Sequence, residues 1–150
     1  MIKEVPLAEL TLRKYEKPYK SNERELIRKI CLSLGLLQTG DGRDVVVDVL
    51  AVLINASKRK KELTSDEIKA QVEKYREENS LELNGIAESN IRRQLKRLAD
   101  LMIIEKKNNL YRITEFEPLG KIFEERIEKF LLPQILERIK EYFGELEKSE

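Results

Sequence analysis

Ser89, Asn90, Arg92, Arg93, Lys96 and Arg97 fall within nine consecutive positions and carry the side-chain types that read duplex nucleic acid. An arginine fork can hold the edge of guanine by two hydrogen bonds, an asparagine amide that of adenine, and a serine either. Ile91, Leu95, Leu98 and Met102 recur at i, i+4, i+7 and i+11 through the same stretch, so the polar residues share the outward face of a helix. Residues near the start of such a helix reach base edges when it enters the major groove, which here means Glu88, Ser89, Asn90 and Arg93. Arg92, Lys96 and Arg97 are placed for phosphates. A basic helix is also the commonest kind of solvated surface, so the neighbouring elements must decide.

Other chemistries have little to work with. The chain has no histidine and one cysteine, Cys31, so it can build neither a Cys/His metal site nor a His-based triad, and neither an enzyme nor a cofactor is expected. Cys31 lies in an apolar helical pattern and reads as a small buried hydrophobe. Asp41, Asp44 and Asp48 are close in sequence, and two carboxylates one helical turn apart can hold Mg²⁺. Capping and helix-dipole complementation explain Asp41 and Asp44 at least as well, so no metal is assigned. The five tyrosines are scattered and make no stacking platform for single strands. The amino terminus shows no signal peptide and no long apolar run spans a membrane, which suggests a cytoplasmic protein. Lys/Glu enrichment leans towards a thermophilic source.

The elements around the basic helix follow from periodicity and end signals. Residues 1–43 read as an arm, strand-like over Glu9–Tyr15, and a first helix capped at Ser21 or Asn22 and stopped by Gly35. Val45–Ile54 is almost continuously apolar, but the run from Asp44 to Arg59 is too long for an average strand and reads as a buried helix. Lys58–Lys61 suit its C-terminal end. Thr64 and Glu67 have capping-box spacing, opening a helix with Ile68, Val72 and Tyr75 on its inner stripe. Ser80–Gly85 is a turn. Beyond the basic helix, Ile103–Lys107 and Leu110–Thr114 read as strands joined by Asn108-Asn109, a pair that tolerates the positive φ of a type I′ hairpin. Pro118 fits the first turn of a further helix, and Pro133 kinks or restarts it. Ile135, Ile139, Tyr142 and Leu146 then keep the spacing of a packing seam.

The order helix, capped helix, turn, basic helix, hairpin over residues 44–114 resembles the winged helix-turn-helix superfamily of bacterial and archaeal transcriptional regulators. Ile86, Ile91, Leu95 and Leu98 match its core positions, the hairpin Ile103–Thr114 its wing, and Thr64–Glu67 the start of its second helix. The superfamily commonly has Gly where this chain has Met102. Met makes a left-handed stop costly by about a kcal/mol, so the chain is expected to leave the helix by another turn or to extend it through Leu101 and Met102. The connection Ser80–Gly85 is also longer than the tight turn of a minimal helix-turn-helix.

The expected fold is mainly α with a small β-hairpin: a winged helix-turn-helix core, an N-terminal arm and helix, and C-terminal helices over 115–150 for dimerisation. The expected function is sequence-dependent binding of double-stranded DNA by a homodimeric regulator. Base contacts would fall to Ser89, Asn90 and Arg93, and backbone contacts to Arg92, Lys96, Arg97, Lys106 and Lys107. From Ile86 to Arg112 seven basic residues stand against three acidic, and from Glu115 to Glu150 ten acidic against six basic, in a chain of net charge +1. Such polarity suits a protein with one end on phosphate. The alternative is a winged-helix assembly module in a transcription, replication or chromosome-organising complex, which the near-zero charge and short wing also fit. A small-molecule effector would occupy apolar space between core and C-terminal helices.

Overall fold

The computed structural model describes residues 4–40 and 43–149. The chain is mainly helical with one small antiparallel hairpin, an architecture compatible with a winged helix. In order come α1 (Glu23–Ser33), α2 (Val45–Lys58), α3 (Ser65–Glu78), α4 (Glu88–Asp100), β1 (Ile104–Lys107) and β2 (Leu110–Ile113). A helical tail follows, formed by α5 (Leu119–Ile122), a wider-wound segment (Phe123–Leu131) and α6 (Leu132–Lys148). The arm over Glu9–Tyr15 is held without pairing as a strand: Arg13 N–H donates to Ser33 O, and its guanidinium donates to the carbonyls of Leu32 and Leu37. Asp41 lies outside the described residues.

The starts of α1 and α3 follow the sequence signals. Asn22 Oδ1 accepts from Glu25 N–H at 2.8 Å, and the Thr64–Glu67 capping box closes in both directions at 3.0 and 3.1 Å. Helix ends are less conventional. All of α1 to α4 stop in the same way, with one residue at positive φ and the next donating back to a carbonyl five residues earlier. Leu36, Lys61, Leu81 and Ile103 make those bonds to Cys31, Ala56, Arg76 and Leu98. The left-handed residues are Gly35, Lys60, Ser80 and Met102, so one of four is glycine. Met102, at φ 64°, therefore takes the left-handed stop that the sequence argued against, and the chain uses neither another turn nor a longer helix. Burial of Leu98 and Ile103 on either side of the stop, and the Thr114 hydroxyl donating to Met102 O at 2.6 Å, offset the backbone cost.

The core gathers around α2, nine of whose residues are buried, against Ile68 and Val72 of α3, Ile91, Leu95 and Leu98 of α4, and Ile104 and Ile113 of the hairpin. Asn108 and Asn109 both have positive φ, and Lys107 pairs with Leu110, the expected two-residue hairpin. Leu63, just ahead of α3, exchanges both backbone hydrogen bonds with Tyr111 at 3.0 and 2.7 Å, so the hairpin is tied to the start of α3.

Asp44 and Asp48 have a different job from the one their spacing suggested. Asp44 makes no cap hydrogen bond; its carboxylate accepts from Arg24, Arg28 and Arg76, at 2.9, 3.0 and 3.2 Å. Asp48, wholly buried, accepts from Arg24 and Arg76. The buried Arg76 also donates from Nε to Glu82 O, so α1, α2, α3 and the α3–α4 connection meet on one ionic cluster. Burial would raise Asp44's pKa, but its hydrogen bonds and charge contact with Arg24, then Arg76, outweigh this and hold it below the usual carboxylate range. Burial likewise opposes the charge on Arg24, and hydrogen bonds to Asp48 and Asp44 more than reverse it.

Candidate nucleic-acid interface

Helix α4 has two faces with different duties. Ile91, Leu95 and Leu98 are fully buried, whereas Glu88, Ser89, Arg92, Arg93, Lys96 and Asp100 are exposed. Between them runs a half-buried polar edge that the sequence did not suggest. Asn90 Nδ2 donates to Gly85 O at 2.6 Å, and its Oδ1 accepts from Arg93 and Gln94. Gln94 Oε1 accepts from Arg97, whose other terminal nitrogen donates to Gly35 O at 3.0 Å. Both ends of α4 are thereby fastened, the start to its own entry turn and the end to the turn after α1. The entry turn needs its glycine: Gly85 sits at φ +85°, and a Cβ there would lie 3.2 Å from the Val45 side chain.

The candidate contact residues divide accordingly. Ser89, Arg92, Arg93 and Lys96 point to solvent along α4, and Lys106 and Lys107 are exposed beside the Asn108-Asn109 tip. Asn90 and Arg97 have polar atoms engaged within the fold, donating to Gly85 O and Gly35 O. Gln94 joins them, a residue that spacing alone gave no reason to single out. Arg112, counted in the basic stretch, turns inward: it is 2.6 Å from Glu105 and stacks over Phe116 at 4.9 Å.

Two of the exposed cations have acidic partners on their own helix. Arg92 meets Glu88, and Lys96 meets Asp100 at 3.2 Å, both at i,i+4. Exposed helix pairs of this kind contribute about 0.3–0.5 kcal/mol each. A phosphate that displaces counterions and accepts a charge-assisted bond offers more, so these pairings do not close the surface to an anionic partner. Lys106 Nζ lies 5.5 Å from the Tyr111 ring centroid, which leaves its outer side open.

Comparison of the chain with family models, curated proteins and solved structures gave no match. Its function must therefore be argued from the geometry alone.

Proposed function

We propose that this protein binds duplex DNA in a sequence-dependent manner, as a cytoplasmic winged-helix regulator of transcription that works as a homodimer. The observation that carries the reading is the exposed face of α4. Ser89, Arg92, Arg93 and Lys96 lie there without any role in the core, on a helix fastened at both ends, and the hairpin with Lys106 and Lys107 follows directly. A major groove about 12 Å wide admits one such helix. Ser89 and Arg93 would read bases, Arg93 exchanging Asn90 Oδ1 for a guanine edge. Arg92, Lys96, Lys106 and Lys107 would hold phosphates, while Asn90, Gln94 and Arg97 keep α4 in place.

The test is fluorescence anisotropy with labelled duplex DNA between about 50 and 200 mM salt, a range over which several phosphate contacts lose orders of magnitude in affinity. The variant R92A/K96A should bind more weakly on every sequence and reduce the log–log salt slope by about two. R93A should relax base preference instead. No binding to any duplex at the low-salt end would overturn the proposal. The second reading, an assembly module, is favoured by the i,i+4 pairs that neutralise part of the α4 face, and it would show that outcome.

A further inference from the structure

The tail beyond Leu131 is a helix with nothing to stand on. None of the residues of α6 is buried, and Leu136, Ile139, Phe143 and Leu146 are about half exposed or more (46, 47, 60 and 59 %). At about 100° per residue these four, with Tyr142, fall within about 120° of one another on one face. Most helical stability in proteins comes from packing an amphipathic face, so a helix displaying an apolar stripe gains its stability by covering it.

The same chain carries an uncovered apolar groove of about 650 Å³ between the arm, α1 and the start of the tail. Tyr19, Leu26, Ile30 and Phe123 line it and are 57, 43, 39 and 37 % exposed. Of the fourteen large hydrophobic side chains exposed among the described residues, nine belong to the stripe or the groove. The two surfaces are the chain's main unmet apolar area.

A chain cannot bring its own stripe into its own groove. Leu119 and Phe123 of the groove belong to the tail itself, and the backbone stays right-handed helical at Ile122, Phe123, Leu131 and Leu132. Leu136 is thus carried roughly 20 Å along the helix from Phe123, away from the groove. A second copy related by a two-fold axis meets no such obstacle, and each copy can then offer its stripe to the other's groove. Four aromatic side chains of about 150–250 Å² each and five leucine or isoleucine side chains, roughly half exposed, offer up to about 800 Å² per copy to such an exchange, comparable to the area per partner of a standard stable interface.

We propose that the protein is a two-fold dimer in which the α6 stripe of each copy occupies the groove formed by Tyr19, Leu26, Ile30 and Phe123 of the other. The interface holds two equivalent stripe-in-groove contacts, and α6 does not pair with the partner's α6. This deepens the homodimer part of the proposed function and rests on it, while the DNA-binding part stands or falls separately.

Sedimentation at micromolar concentration should give twice the chain mass of 17.6 kDa. The groove variant L26E/I30E and the stripe variant I139E/F143E should each be monomeric, with far-UV circular dichroism confirming that the helical core remains. Mixed one to one, they should form a heterodimer, because the groove of one and the stripe of the other are both intact. Having one contact where the wild type has two, it should dissociate on the order of 10²–10⁴-fold more readily. A monomeric wild type would overturn the proposal, including the case in which a small apolar molecule fills the groove. A groove variant that stays dimeric would also overturn it, as would variants that fail to complement. A monomer that still binds duplex DNA would leave the DNA-binding part of the proposed function standing without its homodimer, and a complementing dimer that binds none would do the reverse.

Discussion

Replacing Arg76 by methionine removes one guanidinium from beneath the α3–α4 connection and leaves two carboxylates short of a partner. Arg76 is 3 % exposed and meets Asp44 at 3.2 Å, the wholly buried Asp48, and the carbonyl of Glu82. Breaking a buried pair from one side costs about 3–5 kcal/mol, because the remaining charge stays out of water. Arg24 still contacts both carboxylates here, so the lower end of that range applies. Against a typical stability of about 5–15 kcal/mol the loss is large, and at about 2–4 °C per kcal/mol it lowers the melting temperature by roughly 6–12 °C. Urea unfolding followed by circular dichroism measures it, with an unchanged m-value showing that stability alone has moved. The double variant R76M/D48L removes both partners and should be more stable than the sum of the two single losses implies, by at least about 1 kcal/mol. R76M within about 1 kcal/mol of wild type, or strict additivity in the double variant, would refute the claim that the cluster is a coupled unit. Hydrogen exchange should also rise at Leu81, whose amide donates to Arg76 O, because the connection loses its anchor.

Two further outcomes are expected. K60G should raise the free energy of unfolding by about 0.5–1 kcal/mol, seen as a higher urea midpoint at unchanged m-value, since Lys60 is exposed, sits at φ 51° and ends α2 in a conformation that glycine adopts freely. Asp44 has its pKa held below the ordinary carboxylate range in the fold and returns to about 3.9 when unfolded. Its contribution is therefore full above that ordinary value and is lost as pH falls through the folded one. A stability profile from pH 6 to pH 2 should decline below about pH 4, and D44N should be less stable at pH 6 with a shallower decline.

Local signals were legible where both partners lie a few residues apart. The Asn108-Asn109 turn, the Thr64–Glu67 box and the buried stripe of α4 each depend on contacts within one turn or one hairpin, and each formed as its spacing suggested. The stop at Met102 is not legible locally: the cost of a left-handed methionine is real, yet burial of Leu98 and Ile103 and the bond from Thr114 act against it from outside the helix. Asp44 and Asp48 drew a capping or metal reading because Arg24 and Arg76 are 20 to 32 positions away, and spacing says nothing about such partners. The Leu63–Tyr111 link is a single residue pair, too short to leave an alternating pattern. At the candidate interface, residue type identified the polar side of α4 but could not separate its outward residues from its clamps. Asn90 and Arg97 look like their neighbours in sequence, and only their distances to Gly85 and Gly35 set them apart.

That separation has a consequence for how the protein can change. Ser89, Arg92, Arg93 and Lys96 are exposed and carry no core packing, so replacing them is nearly free in folding terms, within about 0.5 kcal/mol. Asn90, Gln94 and Arg97 hold the helix that presents those four positions. Under the proposed DNA reading, a lineage could therefore rewrite the address that α4 would read, one outward residue at a time, while inheriting the posture of the helix unchanged. Under that reading the two sets also predict different scars in a mutational scan: outward changes should alter which partner is chosen, and changes along the half-buried edge should lower how much folded protein there is to choose with.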